Sequence, residues 1–247
     1  DEEANVIENR KRFFGGQGID LQQLATSHQV HGDKILYALE PGDYAGFDAL
    51  VTDRKGIFVA VSVADCTPIL IYDTENEVVA AVHAGWRGTV EGIVFKTLET
   101  MQDHFGTQPE HCFAYIGTCI DECSYEVDAD VADHFPDDFK RYDAQLNKFF
   151  VDLKNGNKDQ LIAFGIPENQ IEISPFSTVL HNEQYFSHRK EKGQTGRMMA
   201  VIGIFIVLIA CFNFINLSTA RATKRSKEVG LRKVVGAFKS QLISQYL

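Results

Sequence analysis

The feature that most constrains this 247-residue chain is the run over residues 57–63, Ile-Phe-Val-Ala-Val-Ser-Val. It is apolar and largely β-branched, with no alternation of polar and apolar positions. That pattern reads as a strand buried on both faces, which needs a layer of structure on each side. Residues 68–72 and 78–82 read as two more strands around the polar turn Asp73-Thr74-Glu75-Asn76-Glu77. After them come the glycine-rich stretch Ala84-Gly85-Trp86-Arg87-Gly88-Thr89 and a helical pattern over residues 90–105, with Thr89 as its N-cap.

The same reading gives a helix over residues 2–14, stopped by Gly15-Gly16, and a short strand over 34–38. It gives turn chemistry at Pro41-Gly42-Asp43, a strand over 113–116 and helices over 128–135 and 152–164. Further strands are predicted over 171–174, 185–188 and 198–202. Strands and helices intermix around a hairpin. The expected fold class is therefore α/β (α+β), with a mixed β-sheet in a layered sandwich with helices.

Charge divides the chain. From Phe205 onward seven basic residues face only Glu228, giving +6, while the whole chain carries −10 and the part before Phe205 therefore −16. An acidic chain is a poor match for a nucleic-acid backbone, so no nucleic-acid partner is expected. Five cysteines at irregular spacings suggest no disulfide framework, and the start shows no signal peptide. A cytoplasmic location is the simpler expectation.

Local geometry brings two chemical residues together. A hairpin turning about Glu75-Asn76 places position 83 opposite position 68, so Cys66 and His83 fall at one edge of the sheet. Arg87, in the loop after His83, suits an anion such as phosphate, as do the free N–H groups of the helix start. On residues alone, Cys66 reads equally as an inert core cysteine, and His83 as a hydrogen-bonding residue at a strand end. Cys112 and Cys119 read as ordinary core or loop cysteines, and His28 as a surface residue.

Several strings carry a resemblance. They are Gln29-Val30-His31-Gly32, Ala64-Asp65-Cys66-Thr67-Pro68 and Ala81-Val82-His83-Ala84-Gly85-Trp86-Arg87-Gly88-Thr89. Glu8-Asn9-Arg10, Asp48-Ala49-Leu50-Val51-Thr52, Cys123-Ser124-Tyr125-Glu126-Val127 and Thr195-Gly196-Arg197-Met198 add to them. Across residues 5–204 the chain resembles the YfiH/YlmD-type family, described both as multicopper polyphenol oxidase (laccase) and as purine nucleoside phosphorylase. The resemblance implies a zinc site at His31, Cys66 and His83, with the fourth position open as in catalytic zinc sites. It also implies purine nucleoside and phosphate as partners. The reaction would be phosphorolysis of adenosine, inosine or methylthioadenosine, with Arg87 helping to place phosphate, alongside adenosine deaminase activity.

Two other readings stay open. Soft Cys and His ligands also accept copper, which suits a polyphenol oxidase. None of the eight histidines, however, shows the His-X-His spacing of several copper centres. A hydrolase with Cys66 as nucleophile and His83 as base is the other. The chain departs from the family pattern at Asp121-Glu122, Ser124 and His188-Arg189-Lys190, and lacks the strand and glycine motif expected upstream of Glu8-Asn9-Arg10.

The domain boundary is expected at residue 204. Residues 198–220 carry no charge and basic residues follow, which is the outline of a membrane span with positive flanking. Phe212-Asn213-Phe214-Ile215-Asn216 and Glu228-Val229-Gly230-Leu231-Arg232-Lys233 resemble ABC-transporter permeases of the FtsX/MacB type. The last predicted strand already claims residues 198–202, and the rest is short of the roughly 20 residues a span needs. Residues 205–247 therefore read as a fused tail without a membrane role. Truncation after Ile204 is expected to leave a soluble, active enzyme. Thermal stability and nucleoside turnover with and without the tail check this, and a large loss of either would refute it.

Overall fold

The computed structural model describes residues 3–204, and the predicted tail over 205–247 lies outside the described residues. Helix α1 spans Glu3–Gly15. Strands β1 (Leu24–His28), β2 (Ile35–Tyr37), β3 (Gly42–Ala45), β4 (Ala49–Thr52), β5 (Phe58–Val63), β6 (Thr67–Asp73) and β7 (Val78–Ala84) follow. Next come α2 (Trp86–Val90), α3 (Ile93–Phe105), β8 (Cys112–Ile116), β9 (Glu126–Val127), α4 (Ala129–Ala132), β10 (Lys140–Asp143) and β11 (Lys148–Val151). The described chain ends with α5 (Leu153–Phe164), β12 (Ile171–Ile173) and β13 (Met198–Ile202).

Among the described residues these strands form three sheets. A mixed sheet runs in the order β12-β8-β6-β7-β4-β2, and a second in the order β13-β5-β1-β3. The small sheet β10-β11-β9 stands apart from both. This is the mixed, layered α/β arrangement expected from the sequence.

Strand β5 is buried at five of its six positions, with Ser62 half-buried. It packs against the larger sheet through Val59 and Val61, which share a core with Leu50, Val79, Ala81 and Ile202. All seven residues of β7 are buried. Alternation sends Val78, Ala80, Val82 and Ala84 to a core with Ile93, Val94, Leu98 and Leu161 of α3 and α5. Val79 and Ala81 face the second sheet. By the same two-residue period His83 belongs to the face between the sheets. A third core, with Ile120, Val127, Phe135 and Val151, lies under the small sheet and touches Trp86 and Tyr125.

The hairpin register is the predicted one, with Pro68 opposite His83. Asp73 fixes its turn. Its Oδ1 accepts the N–H groups of Glu75 (3.0 Å) and Asn76 (3.1 Å), and its Oδ2 accepts Asn76 Nδ2 (2.9 Å).

Several elements depart from expectation. The helix predicted over 90–105 begins earlier and breaks. Thr89 is not its N-cap but sits inside α2 with Oγ1 donating to Gly85 O, and Gly92 breaks the run at φ 76°. The helix over 128–135 shrinks to one turn, after which the His134 and Phe135 N–H groups bond three residues back, to Val131 O and Ala132 O, ahead of Pro136. Residues 42 and 43 open β3 instead of forming only a turn. No strand forms over 185–188. There, side chains take up backbone donors that a ladder would use. Ser187 N–H donates to Glu191 Oε1, and earlier in the same irregular segment Ser177 Oγ accepts from Val179 and Leu180. The hairpin β10–β11 went unpredicted because Lys-Arg-Tyr-Asp shows no apolar alternation. No described helix is long and apolar enough to cross a membrane.

Burial pushes the Asp73 carboxyl up, but its hydrogen bonds prevail and hold it below the ordinary carboxylate range. A depressed folded pKa adds stability above the unfolded pKa, about 4, and that contribution fades as pH falls through the folded value. In urea unfolding, Asp73→Ala is expected to cost about 2 kcal/mol at pH 7, with the gap narrowing below about pH 4. A gap constant with pH would contradict this account of the turn.

Candidate metal centre

The site is built from three loop-strand junctions at one end of the sandwich. His83 closes β7, Cys66 precedes β6, and His31 follows β1. One ligand atom from each of the three lies within 4.8 Å of those of the other two. The imidazoles of His31 and His83 meet edge to face, with centroids 4.9 Å apart. His83 is buried, Cys66 half-buried and His31 exposed, so the cluster opens to one side.

Behind it stands Asp48, fully buried and unnoticed in the sequence as a functional residue. Strands β4 and β7 pair Ala49 with Val82, so Asp48 falls opposite His83. Asp48 Oδ1 lies 2.8 Å from His83 Nδ1 and accepts the His31 N–H at 2.9 Å. Its Oδ2 accepts the N–H groups of Gly32 (2.8 Å) and Val30 (3.2 Å). Burial alone would raise this carboxyl, but the bonds from His83 and the backbone hold it below the usual range. An ionised carboxylate only accepts, so His83 Nδ1 donates and Nε2 keeps the free lone pair. The signal for Asp48 was present, as an acid heading a strand that pairs with the histidine strand.

The three side chains fit a metal on this structure's own terms. An imidazole, a second imidazole and a thiol are borderline-soft donors suited to zinc or copper. Partial desolvation by the surrounding protein first, then the neighbouring His83, lowers the His31 imidazole pKa from its ordinary value, which favours the neutral form a ligand needs. A Cβ at Gly85 would stand 3.1 Å from His31 Cδ2 and 3.3 Å from Cys66 Sγ, so glycine keeps the cluster closed. His31 itself has φ 61° and Asp65, next to Cys66, φ 82°, both in the left-handed region that non-glycine residues rarely adopt. Without a metal, burial and then the Asp65 charge push the Cys66 thiol up to about 12.

The cluster faces a cavity of about 680 Å³. Trp86, Arg87, Tyr125, Arg189 and Arg197 line it, and His28 stands exposed at its wall. Arg87 lies within the first turn of α2, not in a loop, with its guanidinium 4.4 Å from the Trp86 ring centroid. Burial pushes the Tyr125 phenol up to about 12, so it stays a neutral donor. Cys112 and Cys119 are buried and Cys123 exposed, and none of them belongs to a group of metal-ligating side chains among the described residues.

Comparison with known proteins agrees over the described part. A family described as multi-copper polyphenol oxidoreductase laccase matches residues 1–205. A protein of Bacteroides thetaiotaomicron named purine nucleoside phosphorylase is 36% identical over 220 residues, covering 83% of this chain and 82% of its own. Purine nucleoside phosphorylase YlmD of Geobacillus stearothermophilus is 32% identical over 219 residues, covering 82% and 80%. Among solved structures, Bacillus licheniformis YfiH, described as a hypothetical protein, superposes with a TM-score of 0.79 at 33% identity, covering 82% of each chain. The structure of G. stearothermophilus YlmD gives 0.78 at 32% identity, covering 82% of this chain and 81% of its own. The chain belongs to the family described as multi-copper polyphenol oxidoreductase laccase, the family of YfiH and YlmD.

Proposed function

We propose that the chain is a zinc-dependent purine nucleoside phosphorylase acting on adenosine, inosine and methylthioadenosine, with adenosine deaminase activity at the same site. The observation that carries this is the His31-Cys66-His83 cluster, oriented by a buried carboxylate and open to a cavity lined by arginine and aromatic side chains. The names of the relatives support the nucleoside and phosphate. A cavity of about 680 Å³ lies in the range of small-molecule sites.

His31, Cys66 and His83 would hold the zinc, which when bound would supply a Lewis acid. The rest falls to the chain. Arg87, anchored over Trp86, presents a planar fork of N–H donors to phosphate oxygens. Trp86 and Tyr125 give the purine flat apolar surfaces, and the Tyr125 hydroxyl can donate to it. Asp48 holds the two histidines still, so geometry is set before substrate arrives.

A copper oxidase is the second reading, kept by the family's description. Among the described residues the His-Cys-His cluster is the one group of three or more metal-ligating side chains, whereas multicopper chemistry needs several centres. A metal-free Cys66 nucleophile finds less support. Catalytic thiols sit where cations lower their pKa, and here burial and Asp65 raise it.

Protein purified without added metal is expected to carry about one zinc per chain and to release adenine from adenosine only with phosphate. Chelation should stop the reaction and zinc restore it. Copper instead of zinc with phenol oxidation, or no phosphate-dependent release from any nucleoside, would refute the proposal. Cys66→Ala should lower turnover at least about a hundredfold while costing about 1–3 kcal/mol of stability. Full activity in the folded variant would exclude both the metal and the nucleophile mechanisms. Asp48→Asn should weaken zinc affinity about 10- to 100-fold in a competition titration with a metal indicator. An unchanged affinity would deny Asp48 its orienting role.

A further inference from the structure

The irregular segment between β12 and β13 supplies a wall of the cavity through His188, Arg189 and Arg197. With Arg87 this puts three arginines in the lining of one pocket, and the lining holds a single acidic residue, Asp65. Among the described residues none of the three arginines forms a salt bridge. Arg197 Nη1 is tied to its own turn, donating to Thr195 O and Gly196 O. Arg189 Nη1 donates once, to Glu126 O at 2.9 Å, and its guanidinium stands 5.4 Å from the Tyr125 ring centroid. Most of its five N–H donors are thus unspent.

Asp65 does not neutralise Arg189; it holds its backbone. Asp65 Oδ2 accepts the Arg189 N–H at 2.6 Å, and Oδ1 accepts Thr178 Oγ1 at 2.5 Å. The Asp65 carbonyl accepts Ile120 N–H at 3.0 Å. One residue beside Cys66 therefore joins the metal-ligand loop, the stretch leading to Tyr125, and the arginine-bearing segment at two points. Its left-handed backbone, at φ 82°, is strain that this knot of bonds holds in place.

We propose that Arg189 is a phosphate-binding residue acting with Arg87 from a different segment of the cavity lining, and that Asp65 is the positioning residue that holds it there. The inference rests on the phosphorylase reading for the identity of the anion. A phosphate dianion suits two forked guanidiniums better than one, because each pairs with two oxygens. Delivery of the second arginine by a carboxylate-latched segment ties the anion site to the metal-ligand loop itself.

The test uses the full chain and inorganic phosphate, with two readouts. Phosphate is expected to raise the Tm of the wild type, and Arg189→Ala to remove most of that rise. In steady-state assays Arg189→Ala should raise the KM for phosphate about tenfold or more and leave the KM for nucleoside within about twofold. Asp65→Asn tolerates the left-handed backbone and keeps one acceptor, so it should fold and raise the phosphate KM in the same direction by less. Combined with Arg189→Ala it should add nothing further to the phosphate KM, since both act through one side chain. Lys190→Ala, outside the cavity, should leave both readouts unchanged. An unchanged phosphate KM and Tm rise in Arg189→Ala would overturn the proposal, as would fully additive effects in the double variant for the role of Asp65. A wild type that cleaves no nucleoside yet shows an Arg189-dependent Tm rise would refute the phosphorylase reading and leave the anion site standing.

Discussion

The site depends on one buried charge. The Asp48 carboxylate has no exposed surface, and an ion so placed without partners is strongly destabilising. Three successive N–H groups, from Val30, His31 and Gly32, and the His83 imidazole surround it. Those donors are the elements that make the centre. With His31 in the left-handed conformation, three successive N–H groups turn toward one carboxylate. The need to satisfy Asp48 and the presentation of His31 are one geometric condition. The same bond fixes which His83 nitrogen remains for a metal.

Close packing extends the constraint outward. A Cβ at Gly88 would lie 3.0 Å from the Gly32 carbonyl oxygen and 3.3 Å from Ile93, so α2 can approach the His31 loop only with glycine there. Helix α2 is in turn held to α5 by a buried amide, with Asn157 Nδ2 donating to Thr89 Oγ1 (3.0 Å) and Leu153 O (2.7 Å). Arg87 is therefore carried on a rigid turn, whereas Arg189 comes from a segment with no ladder of its own. That segment substitutes side-chain bonds for secondary structure. Ser177 Oγ donates to Asp121 Oδ1, and Ser124 Oγ donates to Asp121 Oδ2 at 3.1 Å. Asp121 is one of the positions where the chain departs from the family pattern, and here it ties the stretch before Tyr125 to the segment after β12.

The central hairpin was legible in the residues themselves, because two short apolar runs of strong β-propensity flank a polar turn over 68–82. That legibility was enough to put Cys66 beside His83. The place of His31 came from its resemblance to a family motif, since nothing local links positions 31 and 66. Elements built on polar capping were illegible. The irregular stretch after β12 and the short hairpin β10–β11 lack apolar periodicity, so propensity misplaced the first as a strand and passed over the second.

By itself the sequence determined the layered fold class, the hairpin register and the residue types able to hold a metal, because these follow from short-range periodicity and side-chain chemistry. Only the tertiary structure decided that Asp48 stands behind both histidines, that α2 begins at Trp86 and carries Arg87, and that Asp65 grips Thr178 and Arg189 more than a hundred positions away. Such pairings are set by how sheets and loops stack, and carry no local period from which they could be read.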